Sequence, residues 1–135
     1  MIKITGKITE NNYSKNIAAM LERLNQYIVL TEMEQYALQL VLWELISNVI
    51  RHSTIKKADV LIHLSTEDIT IELIDHGNGF DWRSQITKAP PSLLAPHEGC
   101  GLFLIQQLAT HVTFDDAGKK ARVIIQRAKI EEEFR

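Results

Sequence analysis

Apolar and polar residues alternate at the start of the chain and then change to a helical period. The alternation across residues 2–8 predicts a strand. Apolar residues then recur every three or four positions over residues 13–27, which predicts an amphipathic helix, with caps offered by Asn11, Asn12 and Ser14. The segment Thr31–Glu34 matches a capping box and opens a second helix that reaches about His52. That helix is apolar on most sides, so we expect it to be largely buried.

The second half of the chain returns to short segments with strand and helix patterns. Residues 58–65 and 69–75 read as two antiparallel strands joined by a tight turn. A short helix is expected from Gly101 to about Ala109. Residues 112–115 and 121–127 are expected to pair as a final hairpin. The order of these elements predicts an α+β protein, a two-layer α/β sandwich with a mixed, mainly antiparallel sheet covered by helices on one face.

Between the middle strands and the short helix lies a long segment, residues 76–98, that holds all three prolines. A segment this long and this interrupted is too irregular for a simple connection, and long loops in compact domains are often functional lids. We see no linker that would separate a second domain. Residues 1–135 are therefore interpreted as a single domain.

Composition narrows the class of protein. The formal net charge of −2 gives no reason to expect nucleic acid or an anionic membrane as partner. No apolar run reaches the ~18 residues of a membrane span, and the first residues do not resemble a signal peptide. The one cysteine, Cys100, has no partner for an internal disulfide, which fits a reducing compartment. We therefore expect a cytoplasmic protein.

An acid and an amide occupy one side of the second predicted helix. Glu44, Asn48 and His52 are spaced four apart, so they form a polar column on an otherwise apolar helix. Burying an unpartnered amide costs roughly 2–7 kcal/mol, so a ligand, metal or water must satisfy it. An amide oxygen suits Mg²⁺, and a carboxylate one turn earlier suits a general base. The alternative interpretation pairs Glu44 with Arg51 and leaves Asn48 to cap a loop.

A carboxylate continues the apolar face of the strand over residues 69–75. Asp75 has the same parity as the apolar residues of that strand, so it should end their row at the edge of the core. The exocyclic amino group of a purine would satisfy this carboxylate, whereas a guanine carbonyl would repel it. Gly77 and Gly79 let the chain turn tightly and approach a ligand. The same spacing also occurs in ordinary turns, which remains the alternative.

A pair of glycines opens the short helix. Gly99 and Gly101 stand on either side of Cys100, just before Leu102. A helix N-terminus offers free N–H groups and partial positive charge, so this arrangement suits a phosphate. The sequence has no Walker motif, which excludes the P-loop class. Helix entry alone would also explain the glycines, and Cys100 has no neighbouring base that would make it a nucleophile.

Together these segments resemble the motifs of a known superfamily, the Bergerat-fold ATPases and kinases that include gyrase, Hsp90, histidine kinases and MutL (GHKL). The acid–amide pair of the helix resembles its N box, and the two glycine segments resemble its first and second glycine boxes. Within the superfamily the chain is most similar to the bacterial anti-sigma factor serine-protein kinases. The similarity extends over roughly residues 10–128.

The resemblance implies a role for each matching residue. Glu44 would be the general base, Asn48 would coordinate Mg²⁺ at the ATP phosphates, and Asp75 would bind the adenine amino group. The glycine boxes would shape the ATP site through Gly77, Gly79, Gly99, Gly101 and Leu102. Residues 82–98 would form the ATP lid. The implied cofactors are ATP and Mg²⁺.

The resemblance also implies partners. The substrate would be a serine of a STAS-domain anti-anti-sigma protein, and the second partner a sigma factor; a homodimer is possible for this class. An alternative interpretation is a non-catalytic module that binds nucleotide and sequesters a partner. A third, a detached histidine-kinase catalytic domain, is disfavoured because only about thirty residues precede the N-box helix, too few for a dimerisation hairpin.

Overall fold

Five antiparallel strands form one sheet in the computed structural model, which describes residues 2–79, 81–82, 105–115 and 117–127. The strands are β1 (Ile2–Thr9), β2 (Lys57–Leu64), β3 (Asp68–Asp75), β4 (His111–Phe114) and β5 (Lys120–Gln126). Their order across the sheet is β1-β2-β3-β5-β4, so β5 lies between β3 and β4. All four pairings are antiparallel. The mainly antiparallel sheet is confirmed, and no parallel pair occurs among the described strands.

Two helices cover one face of this sheet: α1 (Tyr13–Tyr27) and α2 (Glu32–His52). Every second residue of β2, β3 and β5 is buried beneath them, because strand side chains alternate between the two faces. Helix α1 packs on β1 through Ile17, Met20 and Leu24, and Met20 fills the space left by the missing side chain of Gly6. Helix α2 packs on β2 and β3. The α+β sandwich is therefore confirmed.

The predicted capping box opens α2 as expected. The Thr31 hydroxyl accepts from the Glu34 N–H at 3.1 Å, and the Glu34 carboxylate accepts from the Thr31 N–H at 3.0 Å. Glu34 is 3% exposed and also accepts from the Arg127 guanidinium, at 3.0 Å from Nη2 and through a second contact from Nε. Arg127 in turn donates to the Ser65 carbonyl at 3.2 Å. The start of α2 is thus tied to the residue after β5 and to the β2–β3 turn.

The cap expected at α1 does not form. Asn12 is the N-cap residue, but its side chain makes no capping bond and instead accepts from the Thr9 N–H at 2.9 Å. The asparagine therefore fixes the turn between β1 and α1. Of the predicted helix at 101–109, residues 105–108 are helical. No helix in the described part of the chain is both long and apolar enough to cross a membrane.

Candidate nucleotide-binding site

Asn48 is a buried amide with one atom unsatisfied. It is 1% exposed and belongs to the buried residues of α2. Nδ2 donates to the Glu44 carbonyl at 2.6 Å, so the amide nitrogen is engaged within the helix. Oδ1 is buried and has no hydrogen-bond partner among the described residues. An unpaired buried oxygen costs about 1–3 kcal/mol, so a metal ion or donor that contacted Asn48 Oδ1 would remove that cost.

Glu44 lies one turn earlier on α2 and is half-buried. Its carboxylate accepts no hydrogen bond from the rest of the described chain. Burial raises the pKa of the Glu44 carboxyl, and the positive charge of Arg51 offsets only part of that rise. A carboxylate with a raised pKa and no hydrogen-bond donor among the described residues accepts a proton more readily than an ordinary carboxylate.

Asp75 ends β3 at a buried position, with the parity expected from the sequence. The burial pattern of β3 alternates strictly on this face, and Asp75 itself is 1% exposed. Oδ1 accepts from the Ser53 hydroxyl at 2.6 Å and from the Gly77 N–H at 2.7 Å. Oδ2 is buried with no partner in the described part of the protein. One carboxylate oxygen is therefore held by the protein, and the other is left to accept from a ligand.

Gly77 is required by the protein's own packing. A Cβ at Gly77 would lie 2.4 Å from the Ser53 hydroxyl, 2.7 Å from the Thr54 hydroxyl and 2.8 Å from the Ile55 nitrogen. The Thr54 hydroxyl also accepts from the Asn78 N–H at 3.1 Å. The turn after β3 therefore closes against the segment that follows α2, and only glycine fits between them.

Gly79 is required for two reasons. Its φ of 82° lies in the left-handed region that side chains disfavour. A Cβ there would also lie 2.3 Å from the Ala117 carbonyl oxygen. Nearby, the buried Trp82 donates from Nε1 to the Gly118 carbonyl at 2.8 Å and stacks on Phe114 with ring centroids 5.3 Å apart. The β4–β5 turn thus supports the chain as it leaves the first glycine box.

The structure places part of the predicted site. Glu44 and Asn48 lie one turn apart on α2, and Ser53, directly after α2, connects that helix to Asp75. Gly77 and Gly79 form the turn next to Asp75. Three predicted residues, Gly99, Gly101 and Leu102, lie outside the described residues, as does the predicted lid after Trp82. The described residues therefore supply Glu44, Asn48 and the first glycine box, residues 75–79.

Sequence reasoning missed the hydroxyl pair Ser53–Thr54 as a part of the site. Its signal was present, because two adjacent hydroxyl residues follow the predicted end of the helix, where they can reach a neighbouring turn. The role of Trp82 had no comparable local signal, because its partners Phe114 and Gly118 are more than thirty residues away.

The described residues bear on both parts of the simpler interpretation of the helix. Among the described residues Asn48 caps no loop, because its Nδ2 donates to a carbonyl of its own helix and its Oδ1 has no partner. Arg51 acts on Glu44 through its charge, while its Nε donates to the Ser47 carbonyl at 3.4 Å. Within the described residues no group of three or more His, Cys, Asp or Glu side chains could hold a metal ion by itself. A single amide oxygen does fit Mg²⁺, which keeps most of its ligands as water and phosphate oxygens.

Comparisons with known proteins assign the chain to a family. A search of curated proteins finds no match. The structure of the Acinetobacter baumannii histidine kinase AdeS matches with 19% sequence identity and a TM-score of 0.46, covering 93% of this chain and 68% of that one. The profile of the histidine kinase-like ATPase domain matches residues 9–126, nearly the whole chain. The chain therefore belongs to the histidine kinase-like ATPase domain family, a class of ATP-binding, kinase-like modules.

Proposed function

We propose that this protein is a Mg²⁺- and ATP-dependent serine-protein kinase of the anti-sigma type. Its substrate is a serine on a STAS-domain anti-anti-sigma protein, and it sequesters a sigma factor or a similar partner. The observation that carries the nucleotide site is that Asn48 Oδ1 and Asp75 Oδ2 are buried and have no partner among the described residues. A third such oxygen, Asp59 Oδ1, belongs to a carboxylate whose other oxygen pairs with His76. The partner class is supported by the sequence resemblance of the three motif segments.

Each described side chain has one task in this proposal. Asp75 accepts a hydrogen bond from the adenine amino group through Oδ2, while Oδ1 is held by the protein. Asn48 offers its amide oxygen to the metal. Magnesium, when bound, neutralises charge on the phosphates during transfer. Glu44 takes the proton of the substrate serine hydroxyl, for which its raised pKa is suited.

The decisive experiment is a phosphotransfer assay. The purified chain is mixed with labelled Mg-ATP and, in turn, with the STAS-domain proteins encoded in the same genome, and phosphoserine is sought on each. Label on one of them supports both the activity and the partner. No label on any of them, with ATP bound, contradicts the kinase and leaves a module that binds nucleotide and sequesters a partner.

Glu44→Gln separates these two outcomes further. It removes the proton acceptor while keeping the side-chain size. A kinase loses phosphotransfer by a factor of about 10²–10⁴ and keeps its affinity for ATP. Equal phosphotransfer by the variant and the original chain would show that Glu44 is not the base.

A further inference from the structure

We propose that Ser53 is a positioning residue that sets the selectivity of the site for a 6-aminopurine. Its hydroxyl orients the Asp75 carboxylate so that one oxygen, and only that one, is presented to the nucleobase. This inference rests on the proposed adenine contact of Asp75 and adds to it a residue that touches no ligand.

Two donors converge on the same carboxylate oxygen. The Ser53 hydroxyl donates to Asp75 Oδ1 at 2.6 Å, and the Gly77 N–H donates to it at 2.7 Å. One donor alone leaves a carboxylate able to turn about its Cβ–Cγ bond, whereas two donors from separate chain segments restrict that rotation. Oδ2 then has a single orientation, and it is buried with no partner in the described chain.

Ser53 is itself held firmly. Its N–H caps the end of α2 by donating to the Val49 carbonyl at 2.9 Å, and its side chain is buried. Gly77 lies so close that a Cβ there would come within 2.4 Å of the Ser53 hydroxyl. The hydroxyl therefore has little freedom to leave Asp75, and the end of α2 is joined to the turn after β3.

The chemical consequence is selectivity for a donor. Oδ2 has only lone pairs to offer, so a purine with an N–H at position 6 gains a charge-assisted hydrogen bond, whereas a purine with hydrogen there gains nothing. When Ser53 loses its hydroxyl, the carboxylate is held by the Gly77 N–H alone. The bond to the amino group weakens, and selectivity falls with it.

The test compares two nucleotides rather than one. Dissociation constants are measured by calorimetry, with excess Mg²⁺, for ATP and for purine riboside triphosphate, which lacks the amino group. The original chain should prefer ATP by about tenfold or more. Ser53→Ala should lower affinity for ATP by about tenfold and affinity for the analogue by less than about threefold, so that the preference nearly disappears.

Ser65→Ala is the matched control. Its hydroxyl accepts from the Asp68 N–H at 3.0 Å in the β2–β3 turn, at the opposite end of β3 from Asp75. This variant loses a structural hydroxyl and should keep the full preference for ATP. If Ser53→Ala does not fold, Ser53→Cys is measured in its place. This variant puts a thiol, which is only a weak hydrogen-bond donor, where the hydroxyl was.

The outcomes separate this inference from the proposed function. An original chain that binds neither nucleotide, or both equally, overturns the proposed adenine contact. An original chain that prefers ATP, with a Ser53→Ala variant of equal preference, overturns the role of Ser53 alone. Affinity for both nucleotides reduced by one common factor would likewise show a merely structural residue.

Discussion

Asn48 and Asp75 are buried acceptors that the described protein leaves half satisfied. Asn48 Nδ2 and Asp75 Oδ1 each make a short hydrogen bond, whereas Asn48 Oδ1 and Asp75 Oδ2 have no described partner. An unsatisfied buried acceptor lowers the stability of the folded state by about 1–3 kcal/mol. A ligand that satisfies both therefore recovers free energy that the unliganded protein lacks, which makes these two oxygens the natural points of recognition.

Asn48→Ala tests the metal contact. The substitution removes the unpartnered oxygen, so ATP affinity should fall by at least about tenfold in excess Mg²⁺, or about 1.4 kcal/mol, and should change little when EDTA removes the metal. Calorimetry under both conditions measures the difference. Ser47→Ala is the control, because among the described residues the Ser47 hydroxyl hydrogen-bonds only to the Glu44 carbonyl, at 3.4 Å. An equal loss with and without metal would contradict the assignment of Asn48.

The carboxyl of Glu44 should make stability depend on pH. Burial raises its pKa above the ordinary value of 4.5, with Arg51 offsetting part of the rise. Because the folded state binds the Glu44 proton more tightly than the unfolded state does, protonated Glu44 stabilises the fold relative to charged Glu44. This stabilisation is complete below pH 4.5 and is lost as pH rises through the pKa of the folded state. Relative to the original chain, Glu44→Gln should therefore unfold at a higher temperature at pH 7, and the gain should vanish toward pH 4. A variant less stable at pH 7 would contradict this.

At the scale of the element, the capping box of α2 makes a long-range contact that its sequence does not predict. Glu34 serves both the box and a buried ion pair with Arg127. Burial alone would raise the pKa of Glu34, but the hydrogen bonds and charge of Arg127, together with the Thr31 N–H, hold it below 4.5. Ionised Glu34 therefore stabilises the fold above pH 4.5, and this stabilisation is lost as pH falls through the lowered pKa of the folded state.

Glu34→Gln measures this pair. The amide keeps an oxygen for Thr31 but leaves the Arg127 charge without its partner, so the free energy of unfolding at pH 7 should fall by about 3 kcal/mol. Thr31→Ala, which removes only the cap, should cost about 1 kcal/mol. Denaturant unfolding at pH 7 and at pH 3.5 compares them. The penalty for Glu34→Gln should be smaller at the lower pH, and a larger one there would refute the ion pair as its source.

The local sequence pattern predicts most of the helices and strands and the burial of Asp75. It does not predict the hydrogen bonds and strand pairings that connect distant parts of the chain. The bounds of α1 and the capping box of α2 follow from helical period and capping chemistry. The buried side of Asp75 follows from strand parity. The bond from Ser53 to Asp75 and the insertion of β5 between β3 and β4 join residues far apart in the chain, which no local pattern encodes. Which oxygen remains unpartnered depends on those connections.

At the scale of the whole molecule, α2 is anchored at both ends along β3. Arg127 follows Gln126, which pairs with Asp68 at the start of β3, and it binds Glu34 at the start of α2. Ser53, after the end of α2, binds Asp75 at the end of β3. Helix and strand thus run side by side over the length of β3, about 25 Å for its eight residues. This fixes the distance between the proposed metal ligand on the helix and the proposed adenine ligand on the strand.

Because α2 and β3 already hold these two ligands in place without nucleotide, bound nucleotide should stabilise the whole fold by mass action. A ligand present at a hundred times its dissociation constant adds about 2.7 kcal/mol to the free energy of unfolding. For a domain of this length that corresponds to a rise of about 8 °C in the unfolding midpoint. Scanning calorimetry with Mg-ATP and with Mg-GTP measures it, and the rise should be confined to ATP because a guanine carbonyl faces the Asp75 carboxylate unfavourably.

Asp75→Asn gives this measurement its control. The remaining amide oxygen still accepts from Ser53 and the Gly77 N–H, so the variant should unfold at or above the midpoint of the original chain without nucleotide. Its NH₂ replaces the acceptor that adenine needs, so the rise with Mg-ATP should disappear. A folded variant that keeps the full rise would place the nucleobase elsewhere. An original chain that shows no rise at millimolar Mg-ATP would mean that Asn48 Oδ1 and Asp75 Oδ2 bind no nucleotide.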